Sequence, residues 1–134
     1  MAAEAVIIEL FNGGRPIRYT CAEATTIAKG ALAVISADRT VITHAAVDTA
    51  IAGVVAFEKV GGDGSTTVTV YTDGIFDLTA AAAGVTALGA RCAGSGTANM
   101  ITVADANDIL QSSDVGMCLE AHANNEVAAV RVNK

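Results

Sequence analysis

Few residues in this chain have the types and spacing for chemistry. His44 follows an apolar run in a polar turn, and His122 lies in Ala121-His122-Ala123-Asn124. Neither belongs to an HxH, HExxH or HxxE pattern that would aim two ligands at one metal. Both are expected to be surface or loop histidines. The cysteines are Cys21, Cys92 and Cys118, an odd number without CxxC spacing. That argues against a disulfide framework and a zinc site, and their apolar surroundings mark them as small buried hydrophobes. Cys118 and His122 form the one thiol–imidazole pair close in sequence. A reactive thiol needs an accessible, electropositive setting, and Val115-Gly116-Met117-Cys118-Leu119 reads as core strand. Gly61-Gly62-Asp63-Gly64-Ser65 resembles a phosphate loop but lacks the lysine and the following helix. It precedes a strand, so a wide hairpin turn is expected. Asp38, Asp48, Asp63, Asp73, Asp105, Asp108 and Asp114 are read as turn formers, because no DxDxDG loop is present. The expectation is therefore no catalytic residue, no cofactor and no metal. Function should rest on shape and surface.

The elements that would carry such a surface can be read from bulk properties. At 134 residues the chain is the size of one domain. It is 52% hydrophobic and 16% charged, which is globular and not disordered. Aromatics are 4% with no Trp, so the core must be filled by Val, Ile, Leu and Ala. Such side chains bury little area each, and burial against partners would add what the protomer lacks. The net charge is −6. The basic residues Arg15, Arg18, Lys29, Arg39, Lys59, Arg91, Arg131 and Lys134 are scattered, which argues against direct nucleic-acid binding. The start, Met-Ala-Ala-Glu, has no basic stretch before an apolar run, so neither a signal peptide nor a membrane span is expected. Synthesis in a cytoplasm follows as the expectation.

Short β-prone runs occupy 6–11, 17–21, 31–36, 39–43, 53–59, 66–72, 75–78, 90–93, 99–103, 115–120 and 126–132, with turn residues between them. The clearest is 66–72, where Val68 and Val70 point one way and Thr67, Thr69 and Tyr71 the other. Asp73-Gly74 should then make a tight turn into 75–78, a hairpin. Alanine-rich 79–85 and 104–110 allow single helical turns, each too short to be stable alone. The expected class is all-β, a compact β-sandwich or barrel-like protomer.

Two parts of the chain repeat one phrase. Lys29-Gly30-Ala31-Leu32-Ala33-Val34 matches Leu88-Gly89-Ala90-Arg91-Cys92-Ala93. At the same offset, Arg39–Thr43 falls on Ala98–Thr102. After a short gap, Gly53-Val54-Val55-Ala56 falls on Gly116-Met117-Cys118-Leu119, and each unit ends in a Val-rich strand. Two similar halves, about 26–72 and 85–132, are expected, since pairing them covers the edge and apolar face that a lone half would expose.

These same elements resemble the capsid cement, or head decoration, proteins of tailed bacteriophages. The resemblance rests on Gly30-Ala31-Leu32, Ile51-Ala52-Gly53-Val54-Val55, the turn at 61–64, Val68-Thr69-Val70 and Gly74-Ile75-Phe76-Asp77-Leu78. Gly89, Gly116 and 127–132 carry it to the C-terminus. It implies a β-rich homotrimer on the capsid exterior of the virion, clamping neighbouring major capsid protein subunits. The alternatives are another phage structural protein of the tail or surface, or a small-molecule-binding β-barrel, which the scarcity of aromatics disfavours. An enzyme would lack a catalytic set.

Residues 1–19 match this pattern less well and are expected to form a strand or arm outside a decoration domain of residues 20–134. Val6, Ile8, Leu10, Phe11, Arg15 and Arg18 are the candidate partner contacts. An apolar terminal strand must pair with its own sheet or with another chain. A plain hairpin of 6–11 with 17–21 is the competing expectation.

Overall fold

Residues 4–81, 88–121 and 123–134 are described by a computed structural model. The eleven expected strands are all present with shifted ends: β1 Val6–Glu9, β2 Ile17–Thr20, β3 Leu32–Ala37, β4 Thr40–Thr43, β5 Ile51–Val55, β6 Thr67–Tyr71, β7 Asp73–Ala80, β8 Arg91–Gly94, β9 Met100–Val103, β10 Asp114–Cys118 and β11 Val127–Asn133. They make two closed five-stranded mixed barrels, with β1 added at an edge. The first barrel runs β2-β4-β3-β5-β6. The second runs β7-β9-β8-β10-β11, closed by the parallel pair β7–β9. The all-β, two-halved class expected from the sequence is what folds.

The barrels share their pairing strand for strand. Thr20 pairs with Thr40 in the first, and Thr79 with Met100 and Ala80 with Ile101 in the second, each set belonging to the parallel strand pair that closes its barrel. Ala33 opposite Gly53 corresponds to Cys92 opposite Gly116, and the register shifts beside both glycines. Leu32 and Arg91 are therefore counterparts. The matching register corrects the sequence alignment in two places. Ala33 faces Thr43 while Cys92 faces Val103, so Asn99, not Ala98, is the counterpart of Arg39. Both residues hold left-handed φ angles, 51° and 60°, in equivalent turns. The repeat also starts earlier than read, because β2 and β7 are counterparts.

The central glycines have a steric cause. A Cβ on Gly53 would collide with the carbonyl oxygen of Tyr71, and one on Gly116 with that of Arg131. Tyr71 lies on β6 and Arg131 on β11, the equivalent neighbouring strands. The strands approach too closely there for any side chain.

Two cores follow from the topology. Cys21, Ile27, Ala31, Ala33, Val41, Ala52, Val55, Val68 and Val70 fill the first barrel. Leu32, Val34, Ile51 and Val54 point outward from it into the core of the second, among Phe76, Ile101, Val115 and Val132. β3 and β5 are thus apolar on both faces over their buried lengths, which explains their continuous rather than alternating hydrophobicity. Each such side chain is worth about 1.5–3 kcal/mol when buried. A first barrel alone would leave four of them wet.

Two local readings differ. Asp73-Gly74 is no turn: β6 pairs with β2 and β5, whereas β7 pairs with β11, β1 and β9. The edges that a β6–β7 hairpin would use are already occupied, so the chain crosses there between barrels. The aspartates are also not all in turns. Asp73 and Asp114 lie in strands, and Asp108 lies in the short helix α1 (Ala106–Leu110), where it forms a capping box with Asp105. Helix α1 falls within the alanine-rich stretch 104–110. In the other stretch Thr79 and Ala80 are strand, and 82–87 lies outside the described residues. Among the described residues, no helix is long and apolar enough to cross a membrane.

Candidate assembly interface

The groups able to do chemistry are mostly enclosed. Cys21, Cys92 and Cys118 are all buried. Burial pushes each thiol up, and that of Cys92 to about 12. Such thiols stay protonated and are poor nucleophiles. His122 lies outside the described residues, so the Cys118–His122 pairing has no geometry to report. His44 corrects the surface reading, since it is completely buried. It directly follows β4 and packs on Gly94 of the second barrel, where a Cβ would lie 2.5 Å from Nε2. Its Nδ1 accepts a 3.0 Å hydrogen bond from Asn99 N–H. That fixes the proton on Nε2, which meets no acceptor at ordinary hydrogen-bond geometry among the described residues. Burial lowers its pKa below 6.5, and the nearby backbone of Ser95 and Ala46 offsets part of that shift. Nothing in the sequence near His44 signals this, because Gly94 and Asn99 come from the other half.

The glycine-rich segment is the expected wide turn between the antiparallel strands β5 and β6. Its donors are already used: Gly64 N–H donates to Glu23 Oε1 at 2.8 Å and Gly61 N–H to Thr26 Oγ1 at 2.8 Å. Lys59 is buried beneath it and pairs with Asp63 at 3.4 Å. The carboxylates of Glu23 and Asp63 thus hold the amide and the ammonium that a phosphate would need. No cluster of three metal-ligating side chains occurs among the described residues.

The six contact candidates part company in space. β1 pairs with β7, Val6 opposite Asp77 and Ile7 opposite Phe76, and not with β2. The hairpin of 6–11 with 17–21 does not form. Val6 and Ile8 point outward, 61% and 51% exposed, while Ile7 packs on the core. Leu10 also packs on the core. Phe11 lies against the Arg131 guanidinium, 4.7 Å from ring centroid to Cζ, a cation–π contact. Arg15 is exposed and pairs loosely with Asp73 at 3.9 Å. Arg18 is exposed on β2, which closes the first barrel. The N-terminal stretch is thus an edge strand of one barrel followed by a strand of the other.

Among the described residues, β1 pairs with β7 alone, so its other edge is unpaired beyond one bond from Ala5 N–H to Gly30 O. A groove of 460 Å³ runs beside that edge, lined by Glu4, Val6, Ile7, Lys29, Val54 and Val55 among others. An unpaired edge, an apolar groove and outward Val6 and Ile8 together make a surface suited to an extended or sheet-edge partner.

Two tandem barrels with an exposed apolar edge strand define an all-β protein. The family model described as phage cement protein matches residues 11–133, and the chain belongs to that family of capsid-associated structural proteins. Comparison with curated proteins gave no match.

Proposed function

We propose that this chain is a homotrimeric clamp on the exterior of a phage capsid, holding neighbouring major capsid protein subunits together. The observation that carries the reading is the open edge of β1 with exposed Val6 and Ile8 beside an apolar groove. An edge of this kind in a secreted monomer would be a hazard; on a cement protein it is a means of attachment. Three copies in one trimer make the second and third contacts intramolecular, so each can be weak while the whole holds. Arg15 and Arg18 add orientation more than affinity, as exposed charges do.

The test is shell binding by the Val6→Glu/Ile8→Glu double variant. Retained folding with lost shell occupancy supports the β1 attachment. Occupancy equal to the unmodified protein removes β1 from the contact.

A further inference from the structure

The internal repeat gives one barrel a covered mouth and leaves the same mouth on the other barrel open. In the second barrel, the end where β8 finishes and β7 and β10 begin is sealed by the outer face of the first. Leu32, Val54 and Tyr71 stand in one register row of that face. Tyr71 and Phe76 rings lie 6.2 Å apart, Leu32 N–H donates to Asn99 Oδ1 at 3.0 Å, and Ile51 N–H donates to Ser112 O at 2.9 Å. Phe76 is fully buried as a result.

Among the described residues, the equivalent end of the first barrel carries no such cover. Ile17, the counterpart of Phe76, is 43% exposed, and Ile35, the counterpart of Gly94, is 39% exposed. They line an apolar-floored recess of 490 Å³ that reaches Asp114 and Lys134. The sealing face has its own counterpart as well, at one side of which Phe11 lies against Arg131. Arg91, Met117 and Arg131 form the register row equivalent to Leu32, Val54 and Tyr71. Met117 there is 40% exposed, where Val54 is buried.

We infer that the open mouth of the first barrel, around Ile17 and Ile35, receives the β8-β10-β11 face of a second copy of this chain, around Met117. The contact inside the chain is the argument for that occupant, because it shows which surface covers such a mouth. Size also complements. Inside the chain, large His44 sits on Gly94. Backbone bonds make Ala104 the counterpart of His44 and Ile35 that of Gly94: His44 N–H donates to Leu32 O and Ala104 N–H to Arg91 O, while Ile35 N–H donates to Ala50 O and Gly94 N–H to Ser113 O. Between copies, small Ala104 would meet large Ile35. Arg91 and Arg131 are each held by an aspartate of their own chain, Asp114 at 2.5 Å and Asp73 at 3.2 Å. The face therefore remains soluble before assembly and brings few unpaired charges to the contact. Mouth-to-face contact is heterologous, and a heterologous contact whose rotation closes makes a ring. The inference rests on the self-association proposed above and names its surfaces.

The experiment is the solution mass of the full chain and of Ile35→Glu and Met117→Glu, by light scattering, with circular dichroism to verify folding. Each variant alone should lose the ring and run as a monomer. An equimolar mixture of the two should recover a dimer, because one intact mouth and one intact face remain, while the double variant should not. Variants that keep the wild-type mass, or a mixture that stays monomeric, overturn the contact and leave self-association standing. A monomeric wild type overturns both, and its binding to shells would leave only the attachment to the capsid.

Discussion

His44 Nδ1 accepts a 3.0 Å hydrogen bond from the backbone N–H of Asn99, across the seam where one barrel seals the other. Asn99 in turn accepts Leu32 N–H through its side chain. The left-handed turn at Asn99 thus ties β3 and the end of β4 to the second barrel.

That relationship makes the seam sensitive to acid. His44 has a folded pKa below its ordinary 6.5, chiefly through burial. The unfolded chain takes up a proton at about pH 6.5, and the folded chain only at lower pH. Stability is therefore complete above that value and falls as pH drops toward the folded pKa. The carboxylate Asp114 does not share this window. Burial opposes its ionisation, but Arg91 and Lys134 outweigh that and lower its pKa below 3.8. The urea midpoint of the wild type should fall between about pH 7 and pH 5, and His44→Gln should flatten that slope. Equal slopes in both proteins would refute the assignment.

The strand order was legible because β-branched runs and glycine turns recur, and the repeat because Gly53 and Gly116 answer the same steric demand in both barrels. What failed had non-local causes. Asp73-Gly74 has the local chemistry of a hairpin, yet the edges it needs are taken by strands distant in sequence. The buried state of His44 depends on Gly94 and Asn99, which no local window contains. Of the contact candidates, Val6 and Ile8 are exposed on β1, an apolar run that lies outside the apparent repeat. Leu10 and Phe11 share that composition but turn inward, Phe11 to meet Arg131.

The close strand approach at the paired glycines should show in stability. Gly53→Ala and Gly116→Ala each force a Cβ into a neighbouring carbonyl and should cost at least about 3 kcal/mol, at the upper end of single substitutions. Gly62→Ala meets nothing within 4 Å and should cost only about 1 kcal/mol for its positive φ. Chemical denaturation of the three variants gives the ranking, and a Gly62 variant as unstable as the others would contradict it.

The thiols should behave as core. Cys92→Ser replaces a fully buried group with a hydroxyl and should destabilise by about 1–3 kcal/mol. In the native protein Cys92 should resist a thiol reagent until denaturant is added. Rapid native labelling of Cys92 would show that it is accessible and reactive.

Clamping is tested most directly by cryo-electron microscopy of capsids with and without the protein, followed by heating both. The account predicts three copies around each occupied three-fold position, with β1 against the shell, and a higher disruption temperature for decorated capsids. Shells that bind no copies, or that bind them and break at an unchanged temperature, would contradict it.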